Sequence, residues 1–371
     1  MQDCRVKSKG SDVLDKSLNA SEPMKYPTDR RLGSGREFTQ EVHAPRLEDL
    51  TSPKDILEAM ACMTTGARAL ANAACVLSEM FKECELVVLT LSGVASVGRL
   101  DYLISELIDM GHIKCVIATG AVVTHGCSYE MGANFFHIDQ EQVDEQVDVN
   151  LYNRGYNRIY DTVELEKSLE NTGDLVCSIL SNWEGDSICS ADIHYELGRI
   201  LNKKFPKEDG LLHACSRNDV SLIVPSYTDS EIGLSHARYL IECPKAPKFD
   251  PFLDLTCYAK LIKDSFSHGP LGILTLGGGV PRNWAQQIGP FYDTLMDRGI
   301  VKLTRPIRFK YGVRICPEFR EWGGLSGCTY SEGISWGKFV PTKEGGRYAE
   351  VYSDYTSVFP LLISGVLNSR G

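Results

Sequence analysis

Gly272-Ile273-Leu274-Thr275-Leu276-Gly277-Gly278-Gly279-Val280-Pro281 decides the fold. Five apolar or β-branched residues read as a buried strand. Three glycines make the turn. Pro281 then opens a helix that the pattern carries to Arg298, since proline is at home in a first helical turn. A strand that ends in small residues and runs straight into a helix is half of a β-α-β unit. The same grammar recurs on both sides of it. Upstream, Ser52-Pro53 starts a helix reaching Lys82. Strand Glu85–Thr90 runs into Leu91-Ser92-Gly93. A helix follows over Ser96–Met110, then strand Lys114–Ala118 ends in Thr119-Gly120. Helix Asp192–Leu201 precedes strand Val220–Val224, which ends in Pro225-Ser226-Tyr227-Thr228-Asp229. Helix Pro251–Ser265 leads to the quoted strand. Beyond it come strand candidates Val301–Arg308 and Glu350–Ser353 and a terminal helix Val358–Asn368.

This alternation implies an α/β fold: a doubly wound, mostly parallel sheet with helices on both faces. Ligands of such sheets bind outside the carboxyl ends of the strands. Those ends carry Ser92, Thr119, Gly120, Asp229 and the triple glycine. Residues 1–50 are polar and charge-mixed and read as a flexible arm. Residues 51–371 read as one large domain.

Composition narrows the function classes. The 371 residues carry 49 acids against 39 Lys and Arg, a formal charge of -10. That excludes nucleic acid as the main partner and suits a cationic substrate. The longest apolar runs, Cys115–Val123 and Val358–Leu367, fall far short of the roughly 18 residues of a membrane helix, so no membrane partner is expected. The first residues lack the apolar core of a signal peptide. The 13 cysteines show no C-x-x-C spacing. They read as reduced thiols in a cytoplasmic protein. The histidines show no metal-binding pairing and no G-x-S-x-G is present, so neither a catalytic metal nor an α/β-hydrolase elbow is expected.

Three stretches carry chemistry. The triple glycine lets backbone approach a ligand closely, and a helix N-terminus follows. A plain tight turn has the same pattern. Ser331-Glu332-Gly333-Ile334-Ser335-Trp336-Gly337-Lys338 looks like a phosphate-binding loop, but the spacing is one residue short and Phe339 stands where a Ser or Thr should hold magnesium. A lysine beside a tryptophan and a glutamate fits either a desolvated Schiff-base lysine or a surface turn with a snorkelling side chain. His125, just past Thr119-Gly120, is either a cofactor contact or base, or a structural histidine.

In one order, the triple glycine, Ser335-Trp336-Gly337-Lys338, Val351-Tyr352-Ser353-Asp354 and Val358-Phe359-Pro360-Leu361-Leu362 resemble deoxyhypusine synthase. The resemblance extends more weakly from Glu85 to Leu367, through Asn157-Arg158-Ile159 and Pro225–Asp229. It implies that NAD oxidises spermidine to an imine, that the four-carbon arm moves to an enzyme lysine, and that an acceptor amine then takes the arm. By this resemblance Lys338 is the imine-forming lysine, and Trp336 and Glu332 line the polyamine channel. Gly277, Gly278, Thr119, Asp229, Ser326 and Asp354 surround the dinucleotide, with Gly120 and Ser92 beside them. It also implies a homotetramer with sites at dimer interfaces.

The chain departs from the family pattern. Asn283 stands where a general-base histidine is expected, and Leu234 and Leu325 where two polyamine-anchoring aspartates are expected. Val123-Thr124-His125-Gly126 replaces a Glu-rich turn. Glu231 and Glu321 are candidate replacement acids. The pattern is similar to the bacterial deoxyhypusine-synthase-like branch, associated with homospermidine formation from putrescine, so the acceptor is expected to be a diamine or a protein lysine. Two rival readings remain: a sirtuin-like NAD-dependent deacylase, prompted by His125-Gly126, and a non-catalytic NAD- or polyamine-binding homologue, prompted by Asn283 and the leucines.

Overall fold

The structure is a computed structural model that describes residue 38 and residues 41–368; the rest of the arm expected over residues 1–50 lies outside the described residues. Eleven strands are present among them: β1 Leu86–Leu91, β2 Cys115–Ala118, β3 Phe136–His137, β4 Tyr156–Ile159, β5 Thr162–Leu165, β6 Ser187–Ile188, β7 Ser221–Ile223, β8 Lys248–Phe249, β9 Leu271–Leu276, β10 Phe309–Ile315 and β11 Arg347–Val351. Six of them form the central sheet in the order β11-β10-β9-β1-β2-β7. Every neighbouring pair in it is parallel. The doubly wound α/β fold expected from the sequence is therefore present.

The continuous apolar runs have a simple cause. All six residues of β1 and of β9 are buried, because helices cover both faces. Val87, Leu89 and Leu91 point into one core cluster together with Leu77, Ile104, Leu197 and Phe359. Leu86 and Val88 point into the other, with Tyr258, Ala285 and Tyr292. Thr90 is the polar exception. Its hydroxyl donates to that of Thr275 on the neighbouring strand at 2.9 Å, so a buried polar pair is satisfied.

From β1 the chain winds outward through β2 to β7, then returns to β9 on the other side of β1 and winds through β10 to β11. The order reverses between β1 and β9. In sheets of this kind ligands bind at the carboxyl ends there.

Several elements differ from the sequence expectation. The helix from Ser52 to Lys82 is two helices, Pro53–Ala61 and Thr65–Glu83, meeting at 117°. Thr65 breaks the run with a left-handed φ of 54°. The helix expected from Ser96 begins only at Asp101, because Ser96 spends its hydroxyl on the Val122 carbonyl and Arg99 has a φ of 60°. Helix 281–298 splits into Gly279–Gln286 and Ile288–Asp297. Strand Val301–Arg308 is irregular and the strand begins at Phe309; Pro306 cannot donate to a ladder. The terminal helix starts earlier, at Tyr355, capped by Asp354. The antiparallel sheet β3-β5-β4 was not expected; its strands are four residues or fewer, too short for a periodic signal.

Candidate active site

The turn at the carboxyl end of β9 is built by the triple glycine and two serines. Gly277 and Gly279 have φ of 83° and 63°, a region that favours glycine. A Cβ on Gly277 would come 2.4 Å from the Ser92 hydroxyl, and one on Gly278 would come 2.5 Å from Ser326 Cβ. The glycines therefore let β1, β9 and the segment after β10 close together. Their amides are already engaged. Gly277 donates to the Ile315 carbonyl at 2.9 Å, Gly278 to Ser92 Oγ at 2.8 Å and Gly279 to Ser326 Oγ at 2.9 Å. The turn thus contributes a side-chain-free floor, and its three donors are spent within the protein.

The other expected cofactor residues gather along the same rim. Tyr355, next to Asp354, donates to the Ser92 carbonyl at 2.9 Å. Asp354 itself is exposed, and its carboxylate accepts from the Thr356 amide and hydroxyl. Thr119 ends β2 and Gly120 starts the helix Gly120–Glu130. A Cβ on Gly120 would come 2.4 Å from Ser230 Cβ and 3.4 Å from the Asp229 carbonyl, so the ends of β2 and β7 meet there. Asp229 is exposed.

Lys338 approaches from another direction. Its carbonyl accepts from Phe309, the first residue of β10, at 3.1 Å, and Phe339 forms a parallel bridge with Phe309. The lysine backbone thus lies at the amino end of β10, and the side chain is 6% exposed. Its Nζ donates to Asn283 Oδ1 at 3.1 Å, on the helix that leaves the triple glycine. The Trp336 ring centre is 5.8 Å from Nζ. Burial lowers the lysine's proton affinity, the Arg282 charge adds to this, and Cys328 and Glu332 oppose it. Asn283 offers an acceptor without a negative charge, so it orients the amine and leaves the neutral form accessible. Gly337 makes the approach possible: its φ is 69°, and the carbonyl packs where a Cβ on Gly289 would sit, at 2.4 Å.

The expected polyamine residues are spread more widely. Glu332 is exposed in the first turn of helix Tyr330–Ser335, and Trp336 is 61% exposed. Glu231 is exposed at the start of helix Glu231–Glu242. Glu321 is exposed and paired at 2.5 Å with Arg320, which neutralises it as a free anchor. Leu234 and Leu325 are 63% and 49% exposed. Neither Glu231 nor Glu321 is joined to Lys338 by a hydrogen bond or ion pair among the described residues. His125 Nδ1 lies 2.7 Å from Glu164 Oε1 on β5, whose side chain is fully buried. That contact favours its structural reading.

Sequence reasoning missed Arg282, Cys328, Tyr330, Arg314 and Glu350. Arg282 precedes Asn283 and is buried, with its guanidinium 5.6 Å from the Tyr330 ring centre. Arg314 is buried in β10 and paired at 3.3 Å with Glu350 of β11. The strand that holds Arg314 lies beyond the candidate Val301–Arg308, and an arginine within it carries no periodic signal of its own; only its tertiary neighbours bring it to the site.

The family model for deoxyhypusine synthase matches residues 55–366. A "Probable deoxyhypusine synthase 2" of Methanosarcina mazei is 28% identical over 312 residues, covering 84% of this chain and 85% of the relative. A "Probable deoxyhypusine synthase" of Methanopyrus kandleri is 30% identical, covering 82% and 90%. A "Deoxyhypusine synthase-like protein" of Coxiella burnetii is 28% identical, covering 84% of each. Among solved structures, one from Entamoeba histolytica that carries the deoxyhypusine synthase name superposes with a TM-score of 0.53 at 13% identity, covering 88% of this chain and 97% of that one. That likeness shows the fold.

Proposed function

The chain belongs to the deoxyhypusine synthase family, and from that premise we propose that it is an NAD-dependent aminobutyl transferase acting through Lys338. The observation that carries the reading is a buried lysine amine whose hydrogen-bond partner is a neutral amide. A lysine in that setting is a nucleophile at lower pH than a solvated one. The residues fit the dinucleotide: Gly277 and Gly278 let Ser92 and Ser326 close against the turn, Gly279 faces open space, and Ser92, Ser326, Thr119, Gly120, Asp229 and Asp354 stand around it. When bound, NAD supplies the hydride acceptor that makes a secondary amine such as that of spermidine electrophilic.

The chain's own residues do the rest. Lys338 attacks the electrophilic carbon, and the smaller amine leaves as the arm becomes an imine of Lys338. Asn283 holds the lysine amine on line but cannot take a proton near neutral pH. The incoming or departing amine, itself basic, serves as the proton acceptor. Trp336 offers a ring face to a cationic end of the substrate, and Glu332 a nearby charge. The acceptor amine then displaces Lys338, and return to the new imine of the hydride first removed from the donor would complete the transfer. A diamine such as putrescine, giving homospermidine, suits the missing base better than a protein lysine does. Family membership displaces the sirtuin-like reading.

The exposed Leu234, Ile241, Trp322, Leu325 and Trp336 support assembly with further copies, a homotetramer on the family pattern. None of the twelve described cysteines is in a disulfide, and among the described residues no single helix is long and apolar enough to cross a membrane. Both features suit a cytoplasmic enzyme.

The test is borohydride trapping. Protein is incubated with spermidine and NAD, reduced, and mapped by mass spectrometry, with and without putrescine. A four-carbon adduct on Lys338 with release of 1,3-diaminopropane is expected. Absence of both would favour a non-catalytic homologue. Light scattering that finds an active monomer would refute the assembly.

A further inference from the structure

Behind Lys338 lies a cluster whose unpartnered groups are all donors. Arg282 is 2% exposed, and its Nε and Nη2 have no hydrogen-bond partner among the described residues. Tyr330, whose ring packs near that guanidinium, is buried with an unpartnered hydroxyl. Gln286, one turn further along the helix on the side of Arg282, is buried with a free Nε2. Arg314 keeps an unpartnered Nε. The carboxylate nearby is committed: Glu350 pairs with Arg314 at 3.3 Å and accepts from the Tyr330 amide at 3.0 Å.

A buried guanidinium without an anion is costly, and single charges in protein interiors are found paired. The two free nitrogens of Arg282 share one edge of the guanidinium plane. That edge grips a carboxylate side-on through two parallel N–H···O bonds. Arg282 is also adjacent in sequence to Asn283, whose side chain holds the Lys338 amine. The Arg282 charge is felt at Lys338, so an anion on Arg282 and an amine at Lys338 are within reach of one small molecule. The same chain carries leucines, not aspartates, at positions 234 and 325. Fewer acids and one more unpaired cation suit a zwitterion better than a simple polycation.

We infer that Arg282 is a carboxylate anchor, and that one amine substrate of this site is of the amino-acid class, its carboxylate on Arg282 and its side-chain amine beside Lys338. This rests on the aminobutyl-transfer reading for what the amine does, and on the geometry above for what binds. Burial depresses the proton affinity of Arg282, the strain that a bound carboxylate relieves.

The test compares molecules that differ only by the carboxylate. L-Ornithine against putrescine, and L-lysine against cadaverine, are titrated calorimetrically into NAD-loaded protein. Wild type is expected to bind each amino acid at least tenfold more tightly than its decarboxylated counterpart. In Arg282→Met the ratio should fall to about one, and Arg282→Lys should keep part of it. A wild-type ratio of one or below overturns the inference without any variant. An unchanged ratio in Arg282→Met overturns it too. Weakened NAD binding in that variant, with the ratio intact, would mean the guanidinium serves a dinucleotide phosphate and would also overturn it. Trapping of the spermidine adduct on Lys338 is scored in parallel. An adduct without amino-acid preference sinks the carboxylate anchor alone, whereas preference without any adduct sinks the transfer chemistry alone.

Discussion

The glycine turn at the carboxyl ends and the surroundings of Lys338 are joined by one helix, Gly279–Gln286, which starts at the first and carries Asn283 to the second, and they are built on opposite principles. In the turn every glycine amide is satisfied, by Ile315, Ser92 and Ser326. What it holds is decided by shape, because side chains are missing where they would collide. Around Lys338 it is the electrostatics that stand out. A buried lysine faces a neutral amide, and a buried arginine has two idle donors. One region is closed as a structure; the other is left open for chemistry.

The sharpest way to break this contrast is Lys338→Arg, which keeps charge and most of the volume but removes the imine-forming amine. Transfer should fall by at least about 1000-fold, roughly 4 kcal/mol in barrier, with NAD binding and melting temperature little changed. Retained turnover would refute the assignment.

Next in size is Gly278→Ala. The added methyl would meet Ser326 Cα at 2.9 Å as well as its side chain, so backbone must move. A loss of about 1–3 kcal/mol in stability is expected, read as a lower melting temperature, together with weakened NAD binding. A variant as stable as wild type with unaltered NAD affinity would show that the floor is not shape-limited.

Asn283→Asp probes the pocket's charge. Burial and Arg282 lower the Lys338 proton affinity, so the neutral amine gains population as pH rises through a value below that of a solvated lysine. Adduct formation should therefore rise with pH and level off early. A carboxylate at position 283 raises the lysine's proton affinity and moves that rise to higher pH. Near pH 7.5 the rate should drop by about tenfold, the effect of one pH unit, and recover at higher pH. Identical pH profiles for the two proteins would remove Asn283 from its role.

The smallest effect belongs to Trp336→Ala. Its ring is 5.8 Å from the lysine nitrogen and largely solvated. A loss of about 0.5–1 kcal/mol is expected, seen as a few-fold rise in KM with kcat nearly held. A large fall in kcat would mean that the indole shapes the reacting centre itself.

Much of the fold was legible because β1 and β9 are buried on both faces and so read as unbroken apolar runs ending in small residues. Lys338 was legible through the resemblance that Ser335-Trp336-Gly337-Lys338 carries; the residues alone left a surface turn open, and only the structure shows the left-handed φ of Gly337. The bend at Thr65 and the irregular stretch before Phe309 were not legible. Both depend on which neighbours the chain meets, and local propensity is overridden there.

By itself, then, the sequence determined the parallel sheet and the places where its strands end, because these rest on local hydrophobic pattern and on glycine's backbone freedom; it pointed to Lys338 only through the family resemblance. Only the tertiary structure decided that the triple glycine spends its amides on two serines 186 and 47 residues away, that Lys338 rests on an amide, and that Arg282 is buried with donors to spare. Burial and pairing are properties of distances across the folded chain, and residues far apart in sequence set them.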